Sequence, residues 1–115
     1  MSQYHEPVEL LDEKARDISR ALNSLKEEIE AVDWYNQRVV ATKDEALKAI
    51  MAHNRDEEIE HAVMSIEWLR RNMDKWDEEL RTYLFTEGDI TELEEAEGEE
   101  GNNSRTDDLN IGDLK

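Results

Sequence analysis

Residues 11–32 read LDEKARDISRALNSLKEEIEAV, and their apolar positions decide the fold. Leu11, Ala15, Ile18, Leu22, Leu25, Ile29 and Val32 are separated by alternating steps of four and three. That is the seam of a heptad helix. Upstream, Pro7 suits the first turn of a helix, where its missing N–H costs nothing. No proline or glycine interrupts the pattern until well beyond Val40, so the spacing predicts a helix over residues 7–40. At ~1.5 Å per residue such a helix is on the order of 50 Å long. Propensity alone does not hold so long a helix together in water, so the seam must pack against another surface.

Downstream, Thr42-Lys43-Asp44-Glu45 has the form of a capping box, with Thr42 as N-cap and Glu45 reaching back to its backbone N–H. This predicts a second helix over 43–72, carrying Leu47, Ile50, Met51, Ile59, Val63, Ile66, Leu69 and Met73 along or at the end of its length. So short a connection forces an antiparallel hairpin. A break over Asn72–Asp74 and the residues Trp76, Leu80, Tyr83 and Leu84 predict a short third helix over 74–86. Glu97–Asp108 has almost nothing to bury and reads as disordered linker. Apolar side chains return in Leu109-Asn110-Ile111-Gly112-Asp113-Leu114-Lys115. The fold class is therefore all-α, an antiparallel two-helix hairpin plus a short C-terminal helix and a disordered acidic tail. A hairpin is a single layer, and a core needs a second. A two-fold dimer of hairpins, making a four-helix bundle, is the economical expectation.

The 115 residues allow one domain at most, and 39% are charged with a mean hydropathy of -0.92. The net charge of -17 argues against nucleic acid, whose phosphates require basic patches. Acidity is uneven: residues 91–115 hold nine acids and two bases, net -7, which leaves -10 for residues 1–90. With no cysteine, disulfides, zinc–thiolate sites and thiol catalysis are excluded. The sequence shows neither an apolar run near ~18 residues nor a secretory h-region, so no membrane span and a cytoplasmic location are expected.

Against this frame one short stretch stands out, Asp56-Glu57-Glu58-Ile59-Glu60-His61. On a helix Glu58 and His61, three apart, leave the same face. Bundles that hold two iron or manganese ions take a Glu from each of two helices and a Glu-x-x-His from each of two others. Glu28 interrupts an apolar stripe formed by Ala21, Leu25, Val32, Tyr35 and Val39. A carboxylate there is costly unless paired or bound to a cation. Counted from the turn, Glu28 and Glu58 fall at ~18 and ~22 Å, nearly the same height. One chain thus offers half of the set, and a two-fold dimer would supply the rest. Oxygen and imidazole ligands suit iron or manganese. Plainer readings exist: a solvated pair for Glu58/His61, a snorkelling rim residue for Glu28, and packing for Trp34 and Tyr35. His53, Glu57 and Glu60 share another face, either as a wet surface or as a site for calcium or another hard cation.

Glu27-Glu28-x-Glu30-Ala31-Val32-Asp33-Trp34-Tyr35, followed by His53-Asn54-Arg55-Asp56-Glu57-Glu58-x-Glu60-His61-Ala62, closely resembles the encapsulated ferritins. Glu67-Trp68-Leu69-Arg70-Arg71 and Tyr83-Leu84-Phe85-Thr86-Glu87 resemble the same family, so that the likeness spans roughly residues 5–90. At the end of the chain, Leu109-x-Ile111-Gly112-x-Leu114 is similar to the peptide by which cargo docks inside encapsulin shells, with Asp113 where serine is more common.

The resemblance implies a ferroxidase that oxidises Fe(II) to Fe(III) with oxygen at a di-iron centre between two subunits. By motif position Glu28, Glu58 and His61 would be the iron ligands, with Tyr35 close by. Glu27, Glu30 and Trp34 would line the path by which metal reaches the centre, and His53, Glu57 and Glu60 would form the peripheral cation site. It further implies a ferritin-like bundle, a ring-shaped decamer of dimers, and iron storage in a surrounding encapsulin nanocompartment in the cytoplasm. Residues 1–90 would be the ferritin-like hairpin domain, 91–108 an acidic flexible linker and 109–115 the targeting peptide. Two rivals share much of the sequence pattern: a non-catalytic helical scaffold or adaptor, and a di-manganese carboxylate protein.

Overall fold

The computed structural model describes residues 4–94, and the described residues contain no strand. A 3₁₀ turn at Val8–Leu10 leads into helix α1 at Glu13–Ala41, helix α2 at Glu45–Asn72 and helix α3 at Asp74–Tyr83. Helices α1 and α2 form the antiparallel hairpin. The chain divides into two compact units with the boundary between Asp74 and Lys75, so the hairpin is one unit and α3 opens the next.

Helix starts are where the structure departs from the sequence pattern. Pro7 caps the 3₁₀ turn rather than opening α1, and Leu11 is extended. The start of α1 belongs to Asp12, whose Oδ1 accepts from Ala15 N at 2.8 Å. The capping box at Thr42 is likewise replaced. Thr42 ends α1 by donating its N–H to Arg38 O at 3.0 Å, and its Oγ1 accepts from Asp44 N at 3.2 Å. Asp44 then caps α2 through Oδ1, 2.9 Å from Leu47 N. In both helices an aspartate takes the role because a charged acceptor at the exposed N–H groups also meets the positive end of the helix dipole. Helix α3 ends three residues earlier than the pattern suggested. Phe85 adopts φ 61°, the left-handed conformation that terminates helices but is costly outside glycine. Residues 90–94 are helical again, with Asp89 Oδ1 accepting from Thr91 N at 3.0 Å and from Thr91 Oγ1 at 2.7 Å. The stretch read as linker from residue 91 therefore begins inside a capped helical turn.

The hairpin buries little. Among the described residues the buried apolar side chains are Leu25, Ala62 and Leu69, of which Leu69 is wholly inaccessible. The heptad seam is only partly covered by α2. Leu25 is buried, while Leu11, Ala15, Ile18 and Val32 are half-buried and Leu22 and Ile29 lie exposed. A single partner helix covers one flank of an apolar stripe and leaves the other flank in water. Helix α2 has the same problem, with Leu47, Ile50, Ile59, Val63 and Met64 exposed.

Polar cross-links set the register of α1 on α2. Lys14 Nζ donates to Asn72 Oδ1 and lies 5.6 Å from the centre of the Trp68 ring. Arg55 Nη1 donates to Asn36 Oδ1 at 3.0 Å. Ser65 Oγ donates to Glu28 Oε1 at 3.0 Å.

Within α2, Arg70 and Arg71 converge on Glu67. Arg70 donates from Nε at 2.8 Å and from Nη2 at 2.9 Å, and Arg71 from Nε at 2.7 Å. These bonds, Arg70 first and then Arg71, hold the Glu67 carboxyl at about 2 against its ordinary 4.5. A carboxyl whose folded value is depressed contributes stability above its ordinary value and loses it as pH falls toward the folded one. The gap in thermal midpoint between wild type and Glu67→Gln is therefore expected to be constant at neutral pH and to close between about pH 4.5 and about pH 2. Circular-dichroism melts across that window check it. A gap that persists unchanged into acid would assign the difference to packing instead.

Candidate metal site

The acidic stretch of α2 sits in the middle of an uninterrupted helix, so its geometry follows from the helical repeat. Glu58 and His61 project from one face, both half-buried, with His61 Nδ1 3.6 Å from Glu58 Oε1. That is too long for a hydrogen bond. The two groups stand side by side with their lone pairs uncommitted to each other. Two ligands at ~2.1 Å from one ion stand roughly 3 Å apart, so a small closure would bring both onto a single cation.

Glu28 lies on α1 and is bonded across to α2 beyond the Glu58–His61 pair. It is half-buried, and its Oε1 accepts from Ser65. Ser65 lies seven residues beyond Glu58 and four beyond His61, and these spacings put all three on one stripe of α2. The hydrogen bond of Glu28 thus goes to the far end of the stripe that Glu58 opens. Ser65 was not singled out in the sequence, where an isolated helical serine carries no pattern. Its place on the Glu58–His61 stripe is the signal that was available.

The peripheral residues gather on the neighbouring face. His53 Nε2 lies 3.5 Å from Glu57 Oε1. Glu57, Glu60 and His61 each bring one ligand atom within 4.8 Å of the others. His61 therefore has Glu58 and Glu57, three and four residues before it, as helix neighbours, and Glu60 reaches the same cluster. His53, Asp56, Glu57 and Glu60 line a shallow hollow of about 220 Å³. On α1, Glu27, Glu30 and Trp34 lie exposed at i, i+3 and i+7. Tyr35 is half-buried, with the Arg38 guanidinium 5.2 Å from its ring centre. The candidate targeting residues Leu109, Ile111, Gly112 and Leu114, and the acidic linker beyond residue 94, lie outside the described residues.

Among the described residues no helix is long and apolar enough to cross a membrane.

Comparison with known proteins places this arrangement. Residues 3–87 match the family described as EncFtn-like. A ferritin-like protein of Thermotoga maritima is 64% identical over 112 residues, 97% of each chain. An encapsulated ferritin-like protein of Rhodospirillum rubrum is 62% identical over 93 residues, which is 81% of this chain and 66% of the relative. The crystal structure of protein ne0167 from Nitrosomonas europaea superposes with a TM-score of 0.75 at 57% identity, covering 77% of this chain and 98% of that one. Hairpin, acidic stripe and family match coincide on the same residues, and the chain belongs to the EncFtn-like family, the encapsulated ferritins.

Proposed function

We propose that this protein is a ferroxidase that oxidises Fe(II) to Fe(III) with oxygen at a di-iron centre shared by two copies of the chain. The observation that carries the reading is the unbonded Glu58–His61 pair, with Glu28 tied from α1 into the same stripe. Each hairpin contributes one Glu and one Glu-x-x-His, half of what a dinuclear carboxylate site requires. Two hairpins meeting on their uncovered apolar faces complete it, and the exposed Ile29, Ile59 and Val63 supply area for that contact. A ring of such dimers, a decamer, is the larger assembly proposed.

Iron is the substrate. Each Fe(II) gives up one electron, and oxygen receives it. The chain's part is to bind and orient the metal. Glu58 and His61 hold it from α2, Glu28 closes from α1, and Tyr35 borders the centre. The exposed Glu27, Glu30 and Trp34 lie on the metal's approach, where the chain's -17 charge raises the local concentration of cations. His53, Glu57 and Glu60 form a peripheral cation site for calcium or another hard cation. The mineral accumulates in an encapsulin shell in the cytoplasm, with this chain as cargo.

Native sizing with and without Fe(II), followed in air by Fe(III) absorbance, tests the reading. Iron-promoted assembly with oxidation well above buffer is expected. An oligomer indifferent to iron, oxidising no faster than buffer, would favour a non-catalytic scaffold. A manganese-loaded protein with no iron-dependent oxygen uptake would favour a di-manganese site.

For the tail, deletion of residues 109–115 is expected to leave iron oxidation unchanged and to abolish packaging. Co-expression with the shell protein and co-purification reads this directly. Packaging retained by the truncated chain would refute the assignment of the tail.

A further inference from the structure

The hydrogen bond from Ser65 Oγ to Glu28 Oε1 differs from two other links between α1 and α2. The Lys14–Asn72 and Arg55–Asn36 bonds end on amide oxygens. The Ser65 bond ends on a carboxylate, in a half-buried setting, 3.0 Å long. Its donor lies on the stripe of Glu58 and His61.

The chemistry of that donor matters. A lysine or arginine beside Glu28 would neutralise the carboxylate and compete with a cation for it. A hydroxyl carries no charge. It occupies one of about four lone-pair positions on an ionised carboxylate and leaves the others open. A glutamate has three side-chain torsions, and ordering a free one on cation binding costs conformational entropy. A carboxylate already tied at one oxygen has less of that freedom to lose.

We infer that Ser65 is a positioning residue for the metal site, holding Glu28 in the orientation in which it takes a divalent cation without lowering its charge. The inference rests on the reading of Glu28 as a metal ligand. Partners that orient metal ligands typically contribute 10–100-fold in metal affinity. The bond is also intrachain, so each hairpin carries the device before any second copy is engaged.

Co(II) titration of the full-length chain tests it, because Co(II) does not turn over in air as Fe(II) does and reports ligation through its visible absorption. The signal of interest is the part of the Co(II) spectrum that Glu28→Ala removes. Ser65→Ala is expected to weaken that component about tenfold in affinity. Alanine is the better helix former, so the metal-free melting midpoint should stay within a few degrees of wild type. Ser65→Thr keeps the hydroxyl and should restore binding. Wild-type Co(II) affinity in Ser65→Ala, with the signal still absent in Glu28→Ala, would overturn the role of Ser65 and leave the ligand role of Glu28 standing. An equal loss in Ser65→Thr would assign the effect to packing and overturn it as well. Unchanged Co(II) binding in Glu28→Ala would remove the ligand reading itself, and the Ser65 inference with it.

Discussion

Glu28→Ala is expected to reduce aerobic iron oxidation to the buffer rate and to remove the response of assembly to Fe(II). In the proposed centre Glu28 is the one carboxylate that α1 would contribute from within its apolar stripe, and Glu58 and His61 would both come from α2. Without it, each copy offers only a two-ligand pair from a single helix, and a centre built from two copies loses two of its four carboxylates. The same substitution separates function from stability. Removing a carboxylate from an apolar stripe removes a desolvation liability, while Ser65 loses an acceptor worth roughly 1 kcal/mol. The metal-free chain should therefore melt close to wild type although oxidation is gone. A purely structural helix would show the same near-wild-type melt with no loss of chemistry, because there was none, so the oxidation and sizing readouts separate the two. Fe(III) absorbance in air, native sizing and thermal melts of the same preparations read all three quantities.

Leu69→Ala is expected to be the most damaging single truncation in the hairpin, at about 2–5 kcal/mol. Leu69 is 0% exposed, against 7% for Leu25 and 8% for Ala62. It lies on α2 between Ser65 and Asn72, whose partners on α1 are Glu28 and Lys14, so it faces the intervening stretch of that helix. With so few buried side chains, the loss of one removes a large share of the hairpin's own apolar burial, and little remains to collapse into the cavity. Exposed Val63 or Met64 truncated the same way should cost far less in a monomer, since water already reaches them. Urea unfolding of the dilute, metal-free chain checks the order. If Val63→Ala or Met64→Ala destabilises the dilute chain as much as Leu69→Ala, those residues are covered there by a surface the single hairpin does not provide.

Helix existence, the antiparallel hairpin and the Glu-x-x-His pair were legible in the sequence because each depends on neighbours within about one turn of helix. The four-and-three spacing of Leu11 to Val32 requires a helix whatever surrounds it, and residues three apart on a helix meet whatever lies opposite. The fine choice of caps was less legible. Thr42, Asp12 and Asp44 are all competent N-caps by type, and backbone geometry over a few residues selects among them. Counting residues away from the turn predicts equal heights for Glu28 and Glu58, but the cross-helix partner of Glu28 is a side chain seven residues beyond Glu58. The three-residue connection and the reach of long side chains shift what meets what, and the carboxylate of Glu28 meets Ser65.

By itself, then, the order of residues determined the period of each helix, the face that carries acid and imidazole, and the family to which the chain belongs. The packing of α1 on α2 decided the rest: which flank of the heptad stripe is covered, that Leu69 and not Ile29 is buried, and that Glu28 is bonded by Ser65. Periodicity is a property of one helix, whereas register and burial arise only when two helices interlock their side chains, and no spacing within either helix encodes that fit.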